Sequence, residues 1–575
     1  MQLSTTILKY GLLLFIIAID AAVSTLIFLY GKYYWYLPIV AMGSTQRVLL
    51  IVIGWIFQMF KRLKRCCRKR RDMSQQILPD TGVGFVIPCY TENDKLLSAT
   101  LTSLKDSIYV CNDKYKIKPI IFVIVDGKNR GLYNEHPTYK YMEQLLEVTN
   151  KLTLTYTSWK REKVTVDVSY GTYHDIKYVL LVKNTNQSKK DSLILIRKII
   201  KYLNENDMSI EKRTASLKFN LPNESFNMRL VDIIKRELGI SSIEYLFGTD
   251  AGTHVGQLTP HRLLKSIIKN ENIMGVSGFV RVDTYDPQTK YKWLVIYQTF
   301  EYIIQQVITR AGQSIFRHVT CLPGCVQLFR MHDNCIGDTI NKFEEVPKDN
   351  MFSKIRAYLG EDRRYTCLIQ YARPNSRMKM NTHADVYTDV PSTLSVFLSQ
   401  RRRWFLSSNA NNISDVMSSS LPIFVRFIAF VQLWGSLFVL TNAVCLARIV
   451  MFIIQGRVWY TLLVLFSAYI FISLYKCLIA IIYSESLGDL AYYLFSMIIF
   501  LFASVPLNVA IIFNAILTMD DFSWGKTQPI DKTENMIRVV GNEINNETAK
   551  VMNIKQNNDV KMNDDMVEFA IHITD

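Results

Sequence analysis

The sequence predicts an α/β domain inserted between transmembrane helices. Three observations lead there. Apolar runs long enough to cross a bilayer crowd both ends of the 575-residue chain. The section between them, from about Asp72 to about Ser420, contains none. Within that section, short and continuously apolar segments alternate with amphipathic stretches, the pattern of a sheet covered on both faces.

Ile7–Tyr30 is nearly continuous apolar sequence of span length. It is too long for a secretory signal and lacks a small-residue cleavage site before a soluble domain. Leu37–Phe60 is a second span, interrupted by Gln46 and Arg47, so residues 1–60 read as two transmembrane helices. The run Lys61-Arg62-Leu63-Lys64-Arg65-Cys66-Cys67-Arg68-Lys69-Arg70-Arg71 follows directly. A polybasic segment against a helix end marks the cytoplasmic face, and lipid headgroups rather than nucleic acid are its expected partner. Asp20 and Arg47 fall at similar depth in the two spans. They read either as an ion pair or as two groups that separately snorkel or face a bundle. Three more spans, about Phe427–Ala447, Val458–Ile482 and Leu490–Leu517, fill 427–518. Residues 61–390 then form a cytoplasmic domain, 391–426 interfacial amphipathic helices, and 519–575 a polar, Asn-rich tail.

Composition narrows the classes. The chain carries 67 Lys+Arg against 50 Asp+Glu, and 49% of it is hydrophobic, which excludes a disordered chain. Ten Cys in this length make no disulfide framework, and Cys66/Cys67 and Cys321/Cys325 lack a partner pair at zinc-finger spacing. No Gly-rich dinucleotide fingerprint and no P-loop occurs.

Gly84–Pro88, Ile120–Val125, Tyr178–Val182 and Ile243–Phe247 read as buried strands. Polar groups stand where they stop: Pro88-Cys89-Tyr90-Thr91-Glu92, Asp126-Gly127-Lys128 and Thr249-Asp250-Ala251-Gly252-Thr253. Open α/β sheets bind ligands outside the carboxyl ends of their strands. One such Asp-Gly is usually a turn former; three in series suggest a site. Without a P-loop, a strand-end carboxylate such as Asp250 engages phosphate through a divalent cation. Downstream lie Gly360-Glu361-Asp362-Arg363 and Gln400-Arg401-Arg402-Arg403-Trp404. Three Arg beside a Trp suit a membrane-surface anchor. They equally suit guanidinium groups forked onto a diphosphate, with an indole stacked on a sugar.

In this order the motifs resemble the processive family-2 glycosyltransferases, and among them the chitin synthases of fungi and algal viruses, from about Gly82 to Lys526. The similar elements are Asp126-Gly127-Lys128, Lys189-Lys190-Asp191-Ser192, Asp250-Ala251-Gly252-Thr253, Gln298-Thr299-Phe300-Glu301-Tyr302, Cys321-Leu322-Pro323-Gly324-Cys325, Gln400–Trp404 and Ser523-Trp524-Gly525-Lys526. Thr91, Lys526 and Gly252 depart from the usual pattern. Gly252 leaves one obvious carboxylate for the metal.

The resemblance implies a GT-A glycosyltransferase domain on a membrane platform in the plasma membrane. It implies transfer of N-acetylglucosamine from UDP-N-acetylglucosamine to a growing β-1,4 chitin chain that is then translocated. It assigns uridine to Pro88, Tyr90, Glu92 and Asp126, and the diphosphate to Lys190, Gln400 and Arg403. Asp250 holds Mg²⁺ or Mn²⁺, and Asp362 is the general base with Glu361 as its rival or as an acceptor contact. Trp404 stacks on the acceptor, and Leu322, Pro323, Gly324 and Cys325 line its entrance. Gln432, Asn442 and Asn508 read either as polymer contacts or as glue between helices. The expected partners are the nucleotide sugar, the polymer, the bilayer and, in a homo-oligomer, a second copy; nucleic acid is not one. The rivals are a hyaluronan or other β-glycan synthase, and a non-enzymatic receptor or channel with a basic cytoplasmic domain. Gly-Glu-Asp-Arg and the Cys-Leu-Pro-Gly-Cys turn favour chitin over hyaluronan.

Overall fold

The computed structural model describes residues 2–30, 80–132, 134–205, 223–284, 287–331, 333–373, 375–438, 441, 444, 451, 454, 474–484 and 486–522. Ten strands among them form one mixed sheet: β1 (Gly82–Cys89), β2 (Lys118–Val125), β3 (Leu152–Thr157), β4 (Lys163–Tyr173), β5 (Ile176–Lys183), β6 (Tyr245–Gly248), β7 (Thr253–Val255), β8 (Ile273–Val282), β9 (Gln327–Arg330) and β10 (Arg377–Thr388). Their order is β3-β4-β5-β2-β1-β6-β9-β8-β10-β7.

The four apolar segments read from the sequence are β5, β2, β1 and β6, which lie side by side and all parallel. Burial on both faces explains their unbroken apolarity. Val86, Phe122, Ile124 and Leu181 enter one core layer; Phe85, Ile87, Val123, Leu180 and Phe247 enter the other. The remaining strands do not stand out in the sequence. In β4 the reason is plain: Val164, Val166 and Val168 are buried between more exposed polar neighbours, and so short an alternation is a weaker signal.

The helices that position the site are α1 (Gln2–Tyr30), α2 (Asp94–Tyr115), α3 (Lys189–Glu205), α4 (Trp293–Ile304), α5 (Glu361–Ala372), α6 (Leu394–Met417), α7 (Ile423–Leu437) and α8 (Leu487–Leu517). α2 starts where the Asn93 side chain accepts the Leu96 amide, 3.0 Å, and ends at Lys116 in the left-handed region, φ 51°. It lays Leu97, Leu101, Leu104 and Ile108 on the second core layer, while α3 lays Ile196, Ile200 and Leu203 on the first.

Among the described residues two helices are long and apolar enough to cross a membrane, Thr6–Tyr30 and Leu487–Leu517. They coincide with the first and last spans read from the sequence. Leu37–Phe60, and with it Arg47, lies outside the described residues, as does most of Val458–Ile482. Helix α7 covers only a portion of the span read at Phe427–Ala447. Its described residues end at Leu437, and most of the rest of that span lies outside the described residues.

Asp20 is buried, and its carboxylate accepts both the hydroxyl and the amide of Thr441, at 2.6 and 3.1 Å. The partner found for Asp20 is therefore a polar group just beyond α7. Segment 391–426 also differs from an amphipathic surface helix. Instead of one apolar stripe, α6 buries Arg401, Arg402, Asn411, Asn412 and Asp415 beside Phe397 and Leu406, because α5, the helix Met351–Tyr358, α7 and α8 surround it.

Replacing Thr441 by Val should remove the hydroxyl donor to buried Asp20, leaving only the backbone amide, and cost about 1–3 kcal/mol, whereas Ser at that position should retain most of the stability. Thermal unfolding of the two variants in detergent checks this.

Candidate active site

The carboxyl ends of β1, β2, β5 and β6 open on the same edge of the sheet. Past β1, the Tyr90 amide donates to Glu92 Oε2, 2.6 Å, and the Tyr90 hydroxyl accepts from Asn129 Nδ2, 3.3 Å. Burial, with Asp250 nearby, pushes the Glu92 carboxyl up to about 7 against the pull of that amide and of Lys189. Past β2, Asp126 Oδ1 accepts from the Gln187 amide at 3.0 Å and from Lys183 Nζ at 3.1 Å. Lys183 ends β5, is wholly buried, and also donates to Asp191 and Ser192, each at 2.8 Å. Burial opposes its charge, but Asp126 and Asp191 outweigh this and hold its pKa above the ordinary value. The charge of Lys183 fixes Asp126 in place. Gly127 makes the turn at φ +104°, where an added Cβ would stand 3.2 Å from the Asn186 amide.

A second cluster forms past β6 around the first residue of α3. Lys189 Nζ lies 2.6 Å from Asp250 Oδ1, 3.6 Å from Glu361 and 3.9 Å from Asp362. Burial disfavours the ammonium, yet Asp250, Asp362 and Glu361 together raise its pKa. Gly324 packs into the middle. Its amide donates to Asp362 Oδ2 at 2.9 Å, and a Cβ there would meet Lys189 Nζ at 2.5 Å, Asp362 Oδ2 at 2.7 Å and Asp250 Oδ1 at 3.2 Å. Asp362 Oδ1 is buried with no hydrogen-bond partner. Burial pushes the Asp362 carboxyl up to about 7; Lys189 pulls it down and Glu361 and Asp250 push it further up. A carboxyl tuned toward neutrality with one unengaged oxygen has the properties of a general base. Gly360 starts α5 at φ +89°, and a Cβ there would lie 2.2 Å from Ser407 Oγ on α6, so the acidic motif and α6 are in close contact.

The five residues Gln400–Trp404 fan out around α6. Arg401 is buried, donates to Glu301 at 2.7 Å and to Gln298 at 3.4 Å, and lies 4.2 Å from the Trp404 ring centroid. Arg402 pairs with Asp521 past the end of α8. Burial lowers the Arg403 pKa, with Glu361 opposing. Gln400 Oε1 is buried without a partner among the described residues. Trp404 is 39% exposed, with Tyr302 6.2 Å away between ring centroids. The indole is thus backed by a cation and partly open to solvent.

The structure brings Tyr90, Glu92, Asp126, Asp250, Gly324, Glu361 and Asp362 to this edge, with Pro88 half-buried one residue before the end of β1. Two expectations need correction. Lys190 forms no ion pair with the strand-end carboxylates, although Glu361 acts on it from nearby. One residue further round α3, its Nζ sits 3.7 Å over the Trp159 ring and 5.1 Å from Phe343, and burial, with Arg364, pushes it down to about 7. Lys189 occupies the place expected for it. Successive helical residues point about 100° apart, so adjacent lysines cannot share a target; only the strand-end geometry shows which one faces the site. Leu322 and Cys325 do not line an entrance either. Leu322 is fully buried in the first core layer and Cys325 in the second, because the turn passes between the layers before β9. Pro323 and Gly324 remain beside the cluster, and the buried Cys325 thiol lies near enough for Asp250, Lys189 and Asp362 to act on it. The sequence does not single out Lys183, Asn129 or Glu301 as site residues. A signal for Lys183 exists there, as a lysine closing an otherwise apolar strand beside two strand-end aspartates.

Among the described residues no group of three His, Cys, Asp or Glu side chains forms a metal cage. Asp250 offers one carboxylate, 40% exposed against 8% and 19% for Glu361 and Asp362. That donor set fits a Mg²⁺ or Mn²⁺ ion held by one carboxylate plus ligand oxygens.

The chitin synthase family model matches residues 64–561. Chitin synthase 8 of Gibberella zeae is 27% identical over 92% of this chain and 78% of its own length. Chitin synthase 4 of Cryptococcus neoformans var. grubii is 27% identical over 85% of this chain, which spans only 39% of that protein. Among solved structures, a mannosyltransferase from Pyrobaculum calidifontis in complex with GDP-Man and Mn²⁺ has a TM-score of 0.39 at 12% identity, covering 80% of this chain and 99% of that one.

Gly324→Ala should separate Lys189, Asp362 and Asp250 by tenths of an ångström to an ångström and reduce turnover about 100-fold or more. Near-unchanged melting would show that the loss is local; steady-state kinetics beside thermal unfolding measure both.

Proposed function

The chain belongs to the chitin synthase family, and on that premise we propose that it is a membrane-embedded processive glycosyltransferase. It polymerises N-acetylglucosamine from UDP-N-acetylglucosamine into β-1,4-linked chitin and moves the product across the membrane. The observation that carries this reading is the convergence of Lys189, Asp250, Glu361 and Asp362 around Gly324, at the carboxyl ends of parallel strands. The domain is read as a GT-A fold, with uridine held by Pro88, Tyr90, Glu92 and Asp126. Lys189, Gln400 and Arg403 meet the diphosphate. Mg²⁺ or Mn²⁺ on Asp250 supplies further positive charge to the leaving group when bound.

The acceptor's terminal sugar rests on Trp404, and its C4 hydroxyl approaches Asp362. Asp362 takes the hydroxyl proton as the oxygen attacks the anomeric carbon. The bond from that carbon to the UDP oxygen breaks in the same displacement, so the configuration inverts. Charge collects on the departing diphosphate, where Lys189 and Arg403 lower its energy. The unpartnered Asp362 Oδ1, beside an Oδ2 already fixed by Gly324, supports the base assignment. Glu361, 8% exposed and next to Lys189, is read as an acceptor or second-layer contact. For the membrane region, α1 and α8 support anchoring, and the polybasic Lys61–Arg71 run supports a cytoplasmic catalytic domain. The plasma membrane is the expected location.

UDP release by the purified chain with each UDP-sugar in turn tests the reading. Release with UDP-N-acetylglucosamine alone, yielding a chitinase-sensitive polymer, is the expected result; a requirement for UDP-glucuronic acid would indicate hyaluronan, and no release a non-enzymatic protein. Asp362→Asn should lose about 10²–10⁴ in rate and keep nearly normal UDP affinity by calorimetry. With the Asp362 carboxyl pushed up to about 7, the base is protonated below that pH and free above it. kcat/KM should therefore rise with pH through that region in the wild type, and the residual activity of Asp362→Asn should lack that limb.

A further inference from the structure

A cleft of about 290 Å³ lies between the catalytic domain and the start of α7, and none of its lining residues belongs to the strand-end cluster. Arg317 and Arg377 line it, and neither pairs with a carboxylate among the described residues. Three buried polar atoms in its wall lack a hydrogen-bond partner: Ser376 Oγ, Gln370 Oε1 and His318 Nε2. Gln370 is 2% exposed and His318 9%. Such atoms are costly unless a ligand completes them. Burial pushes His318 down to about 4, so it offers a hydrogen bond rather than a charge. Arg317 sits at φ 63°, an uncommon conformation for a residue with a Cβ.

On the opposite wall, Pro422 precedes α7 with no side-chain cap; its carbonyl takes the Val425 and Arg426 amides, and the Ile423 and Phe424 N–H groups are left open among the described residues. A helix N-terminus of this length favours an anion. Beyond it Ile423, Phe424 and Phe427 are 81%, 42% and 52% exposed. No Asp or Glu lines the cleft. Asp415, in the small adjoining pocket, is bonded to the Tyr371 hydroxyl. Cationic groups, a helix N-terminus and unpartnered polar atoms thus meet an exposed apolar helix face, which describes the two ends of an amphiphile.

We propose that this cleft binds an anionic phospholipid. Arg317, Arg377 and the α7 N-terminus take the headgroup phosphate, Gln370 Oε1 accepts from a headgroup hydroxyl, and the Ile423–Phe427 face lies along the acyl chains. The proposal rests on the reading of α7 as belonging to the membrane region.

The test is native mass spectrometry of the full chain from nanodiscs of phosphatidylcholine, alone or mixed with phosphatidylglycerol. Phosphatidylglycerol should be retained selectively. The double variant Arg317→Ala/Arg377→Ala should lose that retention about tenfold, a charge-assisted contact's worth, and Arg317→Lys/Arg377→Lys should recover some of it. Free inorganic phosphate at matched concentration should not displace the lipid. Equal retention of the two lipids by the wild type, or undiminished retention by a folded Ala double variant, would overturn the proposal. Displacement by inorganic phosphate would overturn it too, assigning the cleft to a soluble anion. Should the Ala variant fail to fold, the Lys variant decides through its ratio of the two lipids: unaltered selectivity overturns the proposal, partial loss upholds it. A chain that stays monodisperse without detergent would instead defeat the membrane reading, a result separable from loss of lipid preference in a detergent-dependent protein.

Discussion

One ammonium group organises the strand-end site. Lys189 Nζ faces three carboxylates from two places in the sequence: Asp250 past β6, and Glu361 and Asp362 at the start of α5. Three buried or half-buried acids this close could not all ionise without a compensating charge. With the lysine among them, the turn at Gly324 can close over the cluster and give its amide to Asp362. The side-chain-free glycine is the other half of that constraint, since the space a Cβ needs is filled by the lysine and two of the acids. On the proposed function, a diphosphate entering here would compete with the carboxylates for the same ammonium, linking donor binding to the charge state of Asp362.

Lys183 has the corresponding role a layer deeper. It ties Asp126 past β2 to Asp191 and Ser192 on α3. The two lysines bracket the loop from β5 to α3, and between them they hold Asp126 at one end of the site and Asp250 at the other. Removing a buried cation of this kind strands two carboxylates away from water, which costs far more than the pair itself contributes. Lys190 lies between these roles and serves neither: it packs against the Trp159 ring, where burial pushes it down to about 7.

Much of this is legible in the sequence where the signal is continuous. The parallel strands β5, β2, β1 and β6 show as unbroken apolar runs because both their faces are buried, and the acids at their ends then follow from the sheet's handedness and direction. Of the added strands, β7 and β9 are short and β3, β4 and β10 are partly exposed, while β8 is buried on both faces but its apolar run is interrupted by Gly275, Ser277, Gly278 and Arg281. In the site, the motif Lys189-Lys190 names the right segment but not the right residue, since direction around a helix depends on where the helix begins. Leu322-Pro323-Gly324 likewise marks the turn, yet its leucine belongs to the core. Long-range pairs such as Asp20–Thr441 and Arg402–Asp521 join residues more than 100 positions apart, and no local pattern announces them.

The fan of arginines on α6 has a mechanical meaning. Arg401 is tied to Glu301 on α4, Arg402 to Asp521 beyond α8, and Arg403 faces Glu361 at the head of α5. These attachments leave in different directions, so the helix cannot roll about its axis without breaking at least one charged contact. Trp404, carried on the same turn, is therefore a stationary surface rather than a moving element. On the proposed function, a sugar chain resting on that ring would advance by sliding across it, and the size of each advance would be set by the repeat of the guest, not by a stroke of the host.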